Sequence, residues 1–272
     1  MMKRLVISID GGGIRGIIPL ILLKQIQRRL SKDLFSMDLS WWGTSTGALI
    51  SGAITIQAGT GKDFEAAVQN VLDLYESRSA AAVHPHGVSI PARAFNLIKS
   101  NFDSLHLNQF PNLNIVTSKK DDLSSVIFNA QNACSLEDAI SASCAFPGVF
   151  PAVEINGGLY VDGFFNAKNP TKLAQQHEQN TASNSIYLSL GTGVLREVDE
   201  IEDHLTAVHS HMTDMHNEGS LNYFRFNPTL IHAADSMQNT SAKNILALRK
   251  DTMNYIAENE IEIQRFVKAI LG

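Results

Sequence analysis

Cysteine is nearly missing: Cys134 and Cys144 are the two in 272 residues. That is too few for a disulfide-built fold, and their spacing is not C-x-x-C, so neither a redox motif nor a thiolate metal site is expected. Charge is also sparse. Only 18% of residues are charged, and 22 basic against 27 acidic side chains give a net charge of −5, with no long run of either sign. This excludes a polyelectrolyte-binding tail, and nucleic acid is not an expected partner. Lys24, Arg28 and Arg29 form a basic cluster whose spacing suits the solvent face of a helix. Long apolar runs are absent too. The longest, residues 14–23, is broken by Arg15, Gly16 and Pro19 and falls short of the roughly 20 residues that span a bilayer. Asp10 ends the first apolar run before a secretory core would be complete, so the expectation is a cytoplasmic protein, with peripheral membrane association or non-classical secretion left open.

What remains is 44% hydrophobic residues in a chain long enough for one large domain. Short β-branched runs bounded by glycine alternate with amphipathic segments, the pattern of an α/β protein with a mostly parallel sheet flanked by helices. Strands are predicted over 5–9, 39–42, 113–117, 124–129 and 186–190, with a weaker one at 245–249. Residues 153–161 read as a hairpin through Asn156 and Gly157. Helices are predicted over 16–30, 48–58 and 63–77, from Ser135 with its capping partner Asp138, and over 252–270. Residues 79–111, rich in proline and small residues, read as an irregular excursion of the kind that forms lids. No repeat or linker divides the chain. One domain over 1–272 is expected, with a motif-bearing core over about 5–193 and a helical part over about 194–272.

Three segments could carry chemistry. Asp10-Gly11-Gly12-Gly13-Ile14-Arg15-Gly16 is a glycine-rich turn between a strand and a helix. Without Cβ atoms, its amides can approach an anion or oxyanion, and the following helix aims its positive end at the same point. Gly11, Gly13 and Gly16 also satisfy G-x-G-x-x-G, so a nucleotide- or phosphate-binding loop is an alternative. That alternative needs an acid at the end of the second strand, whereas Asp38 stands at its start and Asp33 before it. Gly43-Thr44-Ser45-Thr46-Gly47 is a G-x-S-x-G between strand and helix, a turn that holds a serine Oγ out of the backbone and turns the Thr46 amide toward an oxyanion; a glycine-serine helix cap is the plainer reading. Asp162, followed by Gly163, ends the apolar strand Leu159-Tyr160-Val161. A buried acid there can serve as base or simply close a turn.

The order of glycine loop, elbow, Ser141-Ala142-Ser143-Cys144-Ala145-Phe146-Pro147, Tyr160-Val161-Asp162-Gly163 and Leu188-Ser189-Leu190-Gly191-Thr192-Gly193 resembles the patatin-like phospholipase family, of bacterial single-domain type. The resemblance implies a three-layer α/β fold related to the cytosolic phospholipase A2 catalytic core. It also implies a Ser45–Asp162 dyad, with an oxyanion hole from the amides of Gly11, Gly12 and Gly13, joined by Thr46. Arg15, Gly16, Gly43, Gly47 and Gly163 would support these motifs, with Arg15 either holding a lipid phosphate or locking the loop. The family usually has Gly or Ala after Asp-Gly; here Phe164 follows, either crowding the base or walling an acyl site. The implied activity is a phospholipase A-type lipid acyl hydrolase that needs no metal or organic cofactor. Its substrate would be a phospholipid or other acyl-ester lipid. With an acidic chain, apolar contacts, an activating ligand or a protein partner would bring it to the membrane. A Ser-Asp-His triad using His177, His204 or His232 is the competing hydrolase reading. His204, His209, His211 and His216 do not have zinc-site spacing and read as solvated histidines.

Overall fold

The computed structural model describes residues 3–82, 102–178, 185–195, 200–234 and 236–272. Most of the excursion expected over 79–111 lies outside these residues, as does the side chain of His204.

The strand β1 (Arg4–Ile9) runs parallel to both of its neighbours, β2 (Asp38–Thr44) and β7 (Ser185–Leu190). Beyond them, β8 (Asn222–Phe226) continues the parallel arrangement from β7, and β3 (Leu113–Lys119) continues it from β2. The far side is antiparallel. Both β4 (Ser125–Phe128) and β6 (Gly158–Asp162) run against β3, and β5 (Val153–Ile155) runs against β6. The β5–β6 turn is Asn156-Gly157, both at positive φ, which is the two-residue hairpin its sequence signals.

Alternate residues of a strand face opposite ways, and both faces of β1 are buried. Leu5, Ile7 and Ile9 pack under α1 (Ile17–Gln27), α2 (Thr46–Thr55), α3 (Phe64–Ala82), α4 (Leu136–Ser143), α8 (Ala242–Glu258) and α9 (Glu260–Leu271). On the opposite face, Val6, Trp42, Val116 and Tyr187 form a second core with α5 (Phe164–Ala167), α6 (Thr171–Glu178) and α7 (Glu200–Asn217). The result is a sheet with helices on each face, an α/β fold.

Three sequence expectations fail in the C-terminal third. Residues 245–249 are helix rather than strand: Ile245, Leu248 and Ile256 recur at helical spacing and are all buried in α8. The helix predicted over 252–270 is two helices, broken at Asn259. Nor is 194–272 all helical, since β8 lies within it. Its sequence, Asn-Tyr-Phe-Arg-Phe, hides an inward-facing arginine.

Candidate active site

Ser45 sits between β2 and α2 with φ 57° and ψ −122°. A non-glycine residue in this region is strained by about 1–3 kcal/mol, so the surroundings must over-determine it. They do so at both ends. The Ser45 amide donates to Ser143 Oγ at 2.8 Å, and Ser143 Oγ in turn donates to the Val116 carbonyl. The Ser45 carbonyl accepts from the Leu49 amide, starting α2, and from Cys144 Sγ. The flanking glycines are obligatory: a Cβ on Gly43 would lie 2.3 Å from the Gly47 carbonyl carbon, and one on Gly47 would lie 2.1 Å from the Ile9 carbonyl oxygen.

That second contact joins the elbow to the glycine loop. Gly16 packs against Thr46, whose hydroxyl hydrogen-bonds Tyr75, and a Cβ on Gly11 would stand 3.3 Å from Ser45 Cβ. The loop itself is held from three sides. The Gly11 amide donates to the Lys168 carbonyl at 2.9 Å. Thr192 Oγ1 donates to the Gly11 carbonyl at 2.7 Å. The Ile14 amide donates to the Met237 carbonyl at 2.9 Å. Gly13, at φ 58°, has no room for a side chain beside Met237. Gly11 was expected among the oxyanion donors, but its single N–H is already committed. Among the described residues, the Gly12, Gly13 and Thr46 amides donate to no other group.

Asp10 opens the loop from a buried position, and its carboxylate is met by Arg225 of β8 at 2.7 Å, with side-chain exposures of 1% and 6%. Arg225 also donates to Ser189 Oγ at 2.7 Å. A buried carboxylate requires such a partner. Sequence reading missed Arg225, because nothing local marks an arginine inside a strand as the mate of an acid 215 positions away.

Asp162 reaches Ser45 through strand register. Val116 pairs with Thr44 of β2 and Ile127 of β4, while Thr117 pairs with Asp162 of β6 and Val126 of β4. Because β4 occupies one edge of β3 throughout, β2 and β6 share the other, end to end. A Cβ on Gly163 would accordingly lie 3.2 Å from Thr44 Cγ2. The Asp162 carboxyl is fully buried; Oδ1 accepts from the Phe164 amide at 2.9 Å, and Oδ2 makes no hydrogen bond of normal geometry. The nearby Ser45 hydroxyl and that amide both favour the carboxylate, but desolvation outweighs them and pushes the Asp162 carboxyl up to about 7.

Phe164 does not displace the base. Its amide holds Asp162, while its ring lies against Gly11, edge-on to Phe146 at 5.4 Å, so it is an apolar wall. Arg15 is buried rather than facing solvent. His177 packs edge-on to Trp42, and His232 Nδ1 pairs with Asp251, so neither is engaged with Asp162. His209 and His216 serve α7, bonding Tyr223 and the backbone at Leu221 and Tyr223. Asp33 caps a 3₁₀ turn and Asp38 pairs with Arg4, so neither acid stands where a ribose-binding carboxylate is needed. Among the described residues no group of three or more His, Cys, Asp or Glu could hold a metal ion.

Residues 7–174 match the family described as patatin-like phospholipase. The chain belongs to this family. It is similar to "Patatin-like protein 2" of Arabidopsis thaliana, 28% identical over 246 residues that cover 69% of this chain and 59% of that protein. It is also similar to "Probable inactive patatin-3-Kuras 1" of Solanum tuberosum, 26% identical over 251 residues that cover 71% and 63%. The chain thus spans less than two thirds of the length of both relatives. Among solved structures, VipD from Legionella pneumophila aligns with 94% of this chain and 67% of its own at 12% identity, with a TM-score of 0.42. The glycine loop, the elbow and Asp162 all fall inside the patatin-like match, while Arg225, Met237 and Asp251 lie beyond it.

Proposed function

We propose that this patatin-like chain is a lipid acyl hydrolase of phospholipase A type, working through Ser45 and Asp162. The observation that carries the reading is the juxtaposition itself. A strained serine at a helix N-terminus faces a carboxyl whose affinity for a proton matches neutral pH, which is the requirement for a general base.

In this reading Ser45 Oγ attacks the ester carbonyl while Asp162 takes its proton. The oxyanion of the tetrahedral intermediate is met by the amides of Gly12, Gly13 and Thr46 and by the positive end of α2. Gly11 contributes by lacking a Cβ beside Ser45. Collapse expels the alcohol, which receives the proton held by Asp162, and leaves an acyl-serine. Asp162 then deprotonates a water that attacks the acyl carbonyl, and Ser45 leaves with that proton. No step calls on a metal or an organic cofactor. Phe146 and Phe164 line the approach as an apolar wall suited to an acyl chain.

The test is a lipid-panel and soluble-ester hydrolysis assay of wild type beside Ser45→Ala, with fluorophosphonate labelling. Turnover and a label at Ser45, both lost in Ser45→Ala, are expected. Full turnover by Ser45→Ala, or a wild type that neither labels nor hydrolyses, overturns the reading.

A further inference from the structure

Beyond Asp162 the wall of the site continues outward onto the surface. Phe165 stacks on Phe146 at 5.5 Å and meets Phe164 edge-on at 5.8 Å, yet is 42% exposed. Two leucines of neighbouring segments are exposed as well, Leu159 (42%) and Leu123 (37%). Hydrogen bonds to the main chain bring the three segments together. The Lys120 amide donates to the Leu159 carbonyl, the Leu123 amide donates to the Lys119 carbonyl, and Asn166, next to Phe165, donates to the Leu123 carbonyl. The patch therefore surrounds the β3–β4 turn, at the end of the sheet where β3 meets Asp162.

Exposed apolar side chains clustered within a polar rim mark a contact surface. The rim here is electrically balanced. The turn carries Lys119 and Lys120 next to Asp121 and Asp122, all exposed, so it presents both signs at once and sums to zero. A zwitterionic headgroup layer offers the same paired charges. An anionic surface would meet two carboxylates here and a chain of net charge −5 behind them.

We propose that Leu123, Leu159 and Phe165 are the surface by which this protein settles on a zwitterionic phospholipid bilayer, placing the Phe146–Phe164 wall at the lipid boundary. The inference rests on the lipid-hydrolase reading for its purpose, but its own measurement is binding. Interfacial attachment of this kind scales with buried apolar area and is indifferent to salt.

The experiment is flotation with phosphatidylcholine vesicles, in a Ser45→Ala background so that the vesicles stay intact. Wild-type surface residues are expected to give partition that survives 1 M salt and is not raised by phosphatidylglycerol. Leu123→Ser with Leu159→Ser should lower it at least tenfold. In the Ser45-intact protein the same pair should leave turnover of p-nitrophenyl butyrate within twofold. Leu159→Trp supplies a gain of signal, a blue shift of its emission on adding vesicles. Unchanged partition of the double variant, binding only to phosphatidylglycerol vesicles with release by salt, or no blue shift overturns the proposal. So does a velocity sedimentation result in which the double variant only dissociates a dimer. Failure of the hydrolase reading looks different: vesicle binding persists while ester turnover and Ser45 labelling are both absent.

Discussion

Thr44 and Asp162 face consecutive residues of β3, Val116 and Thr117, along the same edge of that strand. One parallel and one antiparallel strand thus abut end to end, and the residue after Thr44 is Ser45. The separation between Ser45 and Asp162 is therefore fixed by main-chain hydrogen bonds rather than by loop conformation. Thr44 and Thr117 reinforce the junction, donating to the Ala167 and Val161 carbonyls at 2.6 Å each.

The proposed base should titrate where an assay can see it. Asp162 must be ionised to accept the Ser45 proton, and its carboxyl lies at about 7. For a soluble ester, kcat/KM is expected to rise about tenfold per pH unit below that value and to level off above it. A profile flat from pH 5 to 8 would contradict the role assigned to Asp162.

The same desolvation makes Asp162 costly to the fold. A carboxyl raised from 3.8 to about 7 favours the folded state fully below its unfolded value, and that contribution is lost as pH rises through the folded one. At pH 8 the buried charge costs at most about 4 kcal/mol. Asp162→Asn should therefore abolish turnover while raising the melting temperature at pH 8 by several degrees, with little gain at pH 4. Thermal denaturation at both pH values decides it.

Ser143 is expected to matter without touching substrate. In Ser143→Ala the Ser45 amide and the Val116 carbonyl both lose a partner, which costs about 1–3 kcal/mol. With the elbow loosened, kcat should fall about tenfold or more while KM stays within twofold. Steady-state kinetics beside urea unfolding separates the two effects.

Two glycines should respond in opposite degree. A Cβ on Gly47 would enter the Ile9 carbonyl, whereas Gly157, at φ 80°, has nothing within 4 Å. Gly47→Ala is expected to cost more than about 3 kcal/mol and all activity. Gly157→Ala should cost only the backbone term, about 1–2 kcal/mol, with activity kept. Denaturant midpoints with parallel ester assays compare them.

The sequence was most legible where chemistry imposes a local constraint. Gly43 is required by its close approach to Gly47 within the elbow itself, and Asp162 stands out because an acid ends an apolar strand. The buttresses were not legible, because each depends on a partner distant in the chain. Ser143 meets Ser45 across 98 positions, and Arg225 meets Asp10 across 215. The Gly11 amide is another such case, since its capture by Lys168 follows from tertiary packing alone. Residues 245–249 illustrate a different ambiguity, a short apolar run that periodicity cannot assign to helix or strand.

The Arg225–Asp10 pair has a consequence for where this protein can be divided. The segment matching the family stops at residue 174, before β7 and β8. A fragment cut there would expose the backbone edge of β1 and remove Arg225 from Asp10 at the root of the glycine loop. The segment that matches the family is thus shorter than the sheet it belongs to. The last hundred residues supply the counter-charge that the first dozen meet at Asp10.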